Sequence, residues 1–68
     1  MKLIVNGSLT AVADNVTVAE VVLELAGVER GRGVAVAVND DVVPRSVWST
    51  TVLTDGDTVE ILTAVQGG

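Results

Sequence analysis

Residues 17–27 read TVAEVVLELAG, and they carry the one helical pattern in this chain. Thr17 followed three residues later by Glu20 is typical of a capping box, in which each side chain accepts a backbone N–H of the first turn. The apolar residues recur at helical spacing and so share one face: Val18, Val21, Val22 and Leu25. Gly27 suits the left-handed position after a helix end. Because valine is a mediocre helix former, this helix needs an apolar layer to pack against.

The rest of the chain predicts that layer to be a sheet. Sixteen Val, seven Thr and two Ile favour strands. The alternation of residues predicts strands over 2–6, 8–12, 34–38, 42–43 and 58–65. The order strand, strand, helix, strand, short strand, strand predicts an α+β fold, with one helix packed on a mixed sheet of four to five strands.

The connections follow from turn residues. Asn6-Gly7 is a strong signal for a two-residue hairpin, and turns are also expected at 13–15, 39–41 and 55–57. Pro44 cannot donate to a ladder and therefore ends the fourth strand. Residues 45–52 are expected to be irregular or to form one helical turn, and residues 28–33 a loop. We expect one domain over residues 1–65 and a flexible tail over 66–68.

Composition excludes most kinds of chemistry and several kinds of partner. The 68 residues contain no Cys and no His, so a thiolate nucleophile, an imidazole base and a His-ligated metal are excluded. The net charge of −5 argues against binding nucleic acid, which needs clustered cations. No apolar run is long enough to span a membrane, and no signal peptide is evident, so a cytoplasmic protein is expected. We predict a protein that is not an enzyme.

Several motifs that could indicate a functional site have an ordinary structural interpretation. Asp40-Asp41 and Asp55-Gly56-Asp57 lack the spacing of a calcium loop, so no metal site is predicted. Gly31-Arg32-Gly33 precedes a strand instead of a helix and is interpreted as a flexible crossover loop. Trp48, the single aromatic residue, could anchor an interface, but closing one end of the core is favoured.

One face of the sheet is a candidate docking surface. Ile4 and Leu62 lie on the strand faces opposite Leu3 and Ile61, and Glu60 shares the face of Leu62. If the helix covers Leu3 and Ile61, then Ile4, Glu60 and Leu62 face solvent on the open side. Apolar side chains on adjacent strands could there form a partner-binding patch.

The segment Gln66-Gly67-Gly68 is the candidate for chemistry. A pair of glycines can thread a narrow slot, because it adopts backbone angles closed to other residues. It also leaves a terminal carboxylate unhindered. With no His or Cys in the chain, the carboxylate of Gly68 is the best candidate for a reacting group.

The whole chain resembles a known family. The motifs that carry the resemblance are Val43-Pro44-Arg45 with Trp48 three residues on, Leu53-Thr54-Asp55-Gly56-Asp57, Val59-Glu60-Ile61 and Ala64-Val65-Gln66-Gly67-Gly68. In order and length they are similar to the bacterial sulfur carriers of thiamine biosynthesis, the ThiS family. The resemblance implies a ubiquitin-like β-grasp fold, with the first and last strands parallel and central.

The resemblance also implies a function. A ubiquitin-activating-type adenylyltransferase (ThiF-like) would use ATP to adenylate the carboxylate of Gly68, while the chain itself binds no cofactor. Sulfur from a persulfide donor would then replace AMP, giving a thiocarboxylate. A thiazole synthase (ThiG-like) would accept this sulfur into the thiazole ring. Gln66 and Gly67 would be the tail that delivers Gly68.

Two other interpretations stay open at the level of sequence. A terminal Gly-Gly also fits a molybdopterin-type or other ubiquitin-like sulfur carrier. It also fits a ubiquitin-like interaction module in which the two glycines are incidental. Deleting Gly68 separates the last class from the carriers, because an interaction module would keep its binding.

Overall fold

The protein forms a five-stranded sheet with a short helical layer on one side. The structure, a computed structural model, describes residues 1–26 and 33–63. Its elements are, in chain order, β1 (Lys2–Val5), β2 (Ser8–Ala11), α1 (Val18–Val21), a π-helical segment (Val22–Ala26), β3 (Val34–Val38), β4 (Asp41–Val42), a 3-10 helix (Arg45–Thr50) and β5 (Thr58–Thr63).

The strand order is β2-β1-β5-β3-β4. β1 and β5 run parallel, whereas every other neighbouring pair is antiparallel. The expected α+β class, and the parallel first and last strands at the centre of the sheet, are therefore confirmed. The predictions for Gly27, for residues 28–32 (including Gly31-Arg32), for strand residues Ala64-Val65 and for the tail over 66–68 fall outside the described residues.

Two hairpins are closed by turns with left-handed backbone. Asn6 and Gly7 have φ of 49° and 83°, and Asn39 and Asp40 have φ of 49° and 71°. Two-residue turns of this hand match the twist of the flanking strands, and Asn and Gly are the residues that adopt them most readily. The first turn sets the register that pairs Ile4 with Leu9. The hairpin predicted at Asn6-Gly7 is confirmed.

The helix begins as predicted and continues differently. The Thr17 hydroxyl accepts a hydrogen bond from the Glu20 backbone N–H (3.2 Å), and the Glu20 carboxylate accepts one from the Thr17 N–H (3.0 Å). The prediction that Leu25 belongs to the buried stripe is wrong, since its side chain is 46% exposed. From Val22 onward the segment is π-helical, and the wider turn rotates later side chains away from the face set by α-helical spacing.

The core lies between the sheet and the helical layer. Its buried members are Leu3, Val5, Val16, Val18, Val21, Val22, Val36, Trp48, Leu53, Val59 and Ile61. The Trp48 indole Nε1–H donates to the Val43 carbonyl oxygen at 2.8 Å, so the polar atom of this buried ring is satisfied. The favoured interpretation of Trp48 as a core residue is confirmed. In β3 the valine face turns inward, with Val36 buried, and Ala35 is exposed.

Smaller boundary differences have local causes. The fourth strand is Asp41–Val42 instead of 42–43, because the turn at Asn39-Asp40 directly pairs Val38 with Asp41. The segment expected to be irregular or a single turn is a 3-10 helix of six residues that places Trp48 over the core. Within residues 1–26 and 33–63, no helix is long and apolar enough to cross a bilayer.

Candidate functional site

The side of the sheet away from the helical layer is the candidate docking face. Side chains of paired residues in neighbouring strands point to the same side of a sheet. Ile4 pairs with Leu9 in β2 and with Thr58 in β5. Glu60 pairs with Ala37 in β3, which in turn pairs with Val42 in β4. We refer to this side of the sheet as the open face. Its solvent-facing residues are Ile4, Leu9, Ala35, Ala37, Val42, Thr58, Glu60 and Leu62.

The open face places the predicted residues as expected. Ile4 on β1 is 37% exposed and Leu62 on β5 is 64% exposed. Glu60, two residues before Leu62 on β5, is also exposed. Their neighbours Leu3, Val59 and Ile61 are buried on the opposite side. The sheet therefore presents Ile4, Glu60 and Leu62 on one surface, and the helical layer does not cover that surface.

Two apolar residues of this face were not predicted from the sequence. Leu9 is 68% exposed and Val42 is 76% exposed, each on an edge strand. The two hairpin turns indicate the positions of both residues. A two-residue turn at Asn6-Gly7 forces Ile4 opposite Leu9, and the turn at Asn39-Asp40 forces Ala37 opposite Val42. The open face is thus an apolar surface that extends across the sheet, with Glu60 at its centre.

The aspartates of the turn before β5 have structural partners. An Asp55 carboxylate oxygen accepts the Lys2 backbone N–H at 2.8 Å. The Asp57 carboxylate accepts the Thr54 backbone N–H at 2.9 Å and the Asn39 side-chain amide at 3.0 Å. Among the described residues, no three acidic side chains gather closely enough to hold a metal ion. These carboxylates stabilise the turn that directly precedes β5.

A cavity of about 290 Å³ lies beside the last described residues of β5. Its lining comprises Val5, Asn6, Thr10, Leu25, Ala26, Ile61 and Thr63. Leu25 therefore contributes to this cavity rather than to the buried stripe. Thr63 pairs with Val34 at the last described position of the strand, and the predicted carrier residues Gln66, Gly67 and Gly68 lie outside the described part of the chain.

Known proteins share both the sequence and the fold. The model of the ThiS family matches residues 3–68. The crystal structure of the thiamine biosynthesis protein (ThiS) from Geobacter metallireducens is 36% identical, with a TM-score of 0.78 and coverage of 100% of both chains. The solution structure of a thiamine biosynthesis protein from the same organism is also 36% identical, has a TM-score of 0.80, and is matched over 100% of this chain and 88% of its own. No curated protein sequence matches the chain.

Proposed function

Since the chain belongs to the ThiS family, we propose that it is a sulfur carrier protein of thiamine biosynthesis that is modified at Gly68 by partner enzymes. The observation that carries the proposal is the extent of the family match, which runs from residue 3 through the Gly-Gly pair to residue 68. The β-grasp sheet and the 36% identity to a thiamine biosynthesis protein support it.

The chemistry requires activation by a partner. A carboxylate is a poor electrophile, so ATP first converts the Gly68 carboxylate to an acyl adenylate with release of pyrophosphate. The terminal sulfur of a persulfide donor then attacks the acyl carbon, and AMP leaves. A second thiol cleaves the resulting S–S bond, which yields the Gly68 thiocarboxylate and a disulfide. The chain contains no Cys, so the persulfide and the second thiol come from the partners.

We infer two enzyme partners from this chemistry, and we propose a cytoplasmic location for the protein. An adenylyltransferase of the ubiquitin-activating type (ThiF-like) binds ATP and activates Gly68, and a thiazole synthase (ThiG-like) accepts the sulfur. Gly67 lets the segment enter an enclosed active site, because the absence of Cβ narrows the chain and frees its backbone angles. The division into a domain over residues 1–65 and a tail over 66–68 stays a prediction.

Intact-mass analysis tests the carrier chemistry. The protein is incubated with the adenylyltransferase, ATP and a persulfide donor, and we expect a mass gain equal to replacement of one oxygen by sulfur, located at Gly68 by fragmentation. Deletion of Gly68 should abolish the gain, and Gly67→Val should strongly reduce it while leaving the fold intact. Sulfur located on another residue, or full activity without Gly68, would contradict the proposal.

We further propose that the open face docks these partners through Ile4, Glu60 and Leu62, together with Leu9 and Val42. Exposed apolar side chains on adjacent strands, which the helical layer does not cover, support this assignment. A carrier that docks by this face would present the end of β5 to the partner, since Leu62 lies one residue before the last described residue, Thr63.

Leu62→Asp tests the docking face. A charge placed in an apolar interface should weaken binding to the adenylyltransferase at least about tenfold, because an unpaired charge is costly to bury. The matched control is Leu23→Asp, which makes the same change at a side chain of similar exposure (50%) on the helical layer. Isothermal titration should show weakened binding for Leu62→Asp alone. Equal effects of the two variants, or a collapse of thermal stability in Leu62→Asp, would show that Leu62 is not part of the docking face.

A further inference from the structure

The side chain of Asn6 is bonded to a strand 55 residues away. Its Oδ1 accepts the backbone N–H of Ile61 at 2.8 Å, and its Nδ2 donates to the carbonyl oxygen of Ile61 at 3.1 Å. Asn6 itself sits in the left-handed turn of the first hairpin, at φ 49°. One carboxamide thus satisfies both backbone groups of a single residue in the central strand.

This pair of bonds continues the parallel ladder after β1 has ended. The N–H of Ile4 donates to the Asp57 carbonyl and the N–H of Asn6 to the Val59 carbonyl, both at 2.9 Å. The next rung would need a backbone amide near residue 8, but the chain turns away at Gly7 to form β2. The Asn6 carboxamide takes the place of that rung at Ile61.

The alternation of strand bonds makes Asn6 the partner of Ile61 on this side. Backbone groups of successive strand residues point to opposite neighbours. Asp57 and Val59 bond toward β1, and the Thr58 carbonyl bonds toward β3 by accepting the Asn39 N–H at 2.8 Å. The backbone groups of Ile61 therefore face β1, whereas those of Glu60 and Leu62 face β3. Within residues 1–26 and 33–63, both backbone hydrogen bonds of Ile61 toward the β1 side are made with this one side chain.

We propose that Asn6 is a positioning residue for the carrier segment, since its carboxamide holds Ile61 in the sheet and so fixes the point from which the chain beyond Thr63 departs. The inference rests on the proposed function at Gly68. It predicts that the open face still docks when Asn6 is changed, because Ile4 and Leu62 stay exposed. The activated group is then presented less accurately, so the turnover of adenylation falls more than the affinity.

Asn6→Asp is the most informative variant, because the Asp side chain has the same shape as Asn and also tolerates left-handed backbone angles. As a carboxylate, Asp keeps the acceptor for the Ile61 N–H but turns an oxygen toward the Ile61 carbonyl. As a protonated acid it regains a donor and an acceptor, as in Asn. The described residues that line the adjoining cavity carry no titratable group, and Glu60 lies on the other face of the sheet. Asn6→Gly removes both bonds at any pH and fits φ 49°.

Amide hydrogen exchange and adenylation kinetics test the proposal together. At neutral pH we expect the protection factor of the Ile61 amide to fall at least about fivefold in Asn6→Gly, which removes the acceptor of this N–H. In Asn6→Asp the fall should be smaller, because the carboxylate still accepts the N–H but repels the Ile61 carbonyl oxygen. The Leu62 amide should keep its protection in both variants. Below about pH 4 the Ile61 protection should recover in Asn6→Asp and not in Asn6→Gly. The kcat of adenylation should fall with KM changed less than about twofold.

Asn15→Asp is the matched control, since Asn15 is also left-handed (φ 62°), is exposed, and makes no side-chain hydrogen bond within residues 1–26 and 33–63. It should leave both measurements unchanged. Unaltered Ile61 protection in the Asn6 variants, an equal loss at Leu62, or a rise in KM alone would overturn the proposal. If the unmodified protein is not adenylated, the carrier function itself fails, and the exchange data still decide the role of Asn6 in the sheet.

Discussion

At the scale of single residues, Trp48 shows how one side chain stabilises a core that is otherwise aliphatic. Its ring is 5% exposed, and its Nε1–H donates to the Val43 carbonyl. We expect Trp48→Phe to lower the free energy of unfolding by about 1–2 kcal/mol, because the Val43 carbonyl loses its donor and the ring loses volume. Trp48→Ala should cost about 3–5 kcal/mol.

Urea unfolding followed by circular dichroism measures both changes without relying on the lost fluorophore. Val47→Ala is the control, since this neighbour is 40% exposed and should change the free energy of unfolding by less than about 0.5 kcal/mol. A Trp48→Phe variant as stable as Val47→Ala would show that the indole hydrogen bond contributes nothing.

Thr17 is the second residue with a measurable role of its own. Its hydroxyl accepts the Glu20 backbone N–H, and the Glu20 carboxylate accepts the backbone N–H of Thr17 itself. We expect Thr17→Ala to lower the free energy of unfolding by about 1 kcal/mol, whereas Thr17→Ser keeps the capping oxygen and most of the stability. Thermal unfolding of the two variants provides the test, and equal losses would contradict a role for the cap.

These local features were readable from sequence because each depends on near neighbours. The capping box needs residues three apart, and the Asn6-Gly7 turn needs two adjacent residues. The pairing of Asn6 with Ile61 could not be read in this way, because it joins positions 55 apart and becomes visible when β1 and β5 are known to be parallel. Nothing in the periodicity of either segment encodes it.

At the scale of elements, the helix shows where periodicity misleads. The stripe of Val18, Val21 and Val22 is buried as predicted, whereas Leu25 is exposed because the segment becomes π-helical at Val22. Pattern analysis assumes one helical pitch, so it cannot anticipate a change of pitch within one short helix. Leu9 and Val42 were missed for a different reason, since finding them required the hairpin registers to be followed across to the edge strands.

The β3–β4 hairpin offers a stabilising change. Asp40 occupies the second position of a left-handed turn at φ 71°, where Gly is preferred. We expect Asp40→Gly to raise the free energy of unfolding by about 0.5–1 kcal/mol. Asp41→Gly is the control, because it removes the same charge from a strand residue whose φ is not positive, and it should destabilise. Urea unfolding decides, and a loss of stability in Asp40→Gly would refute the argument.

At the scale of the whole molecule, the charge predicts how the protein meets its partners. Nine acidic residues oppose four basic ones, for a net charge of −5. We expect the association rate with the adenylyltransferase to fall several-fold between about 0.05 and 0.5 M salt, because screening removes long-range attraction to a basic surface. Stopped-flow kinetics measures the effect, and the dissociation rate should change far less. An association rate indifferent to salt would exclude electrostatic steering.

The parallel pairing of β1 with β5 has a consequence for synthesis of the protein in the cell. The centre of the sheet pairs Ile4 with Thr58, so β1 cannot complete its pairing until β5 has been synthesised. Contacts of such large sequence separation slow folding. Until residues 58–63 have left the ribosome, Leu3 and Val36 have no Val59 and Ile61 to pack against, and the nascent chain exposes a strand edge on which chaperones can act.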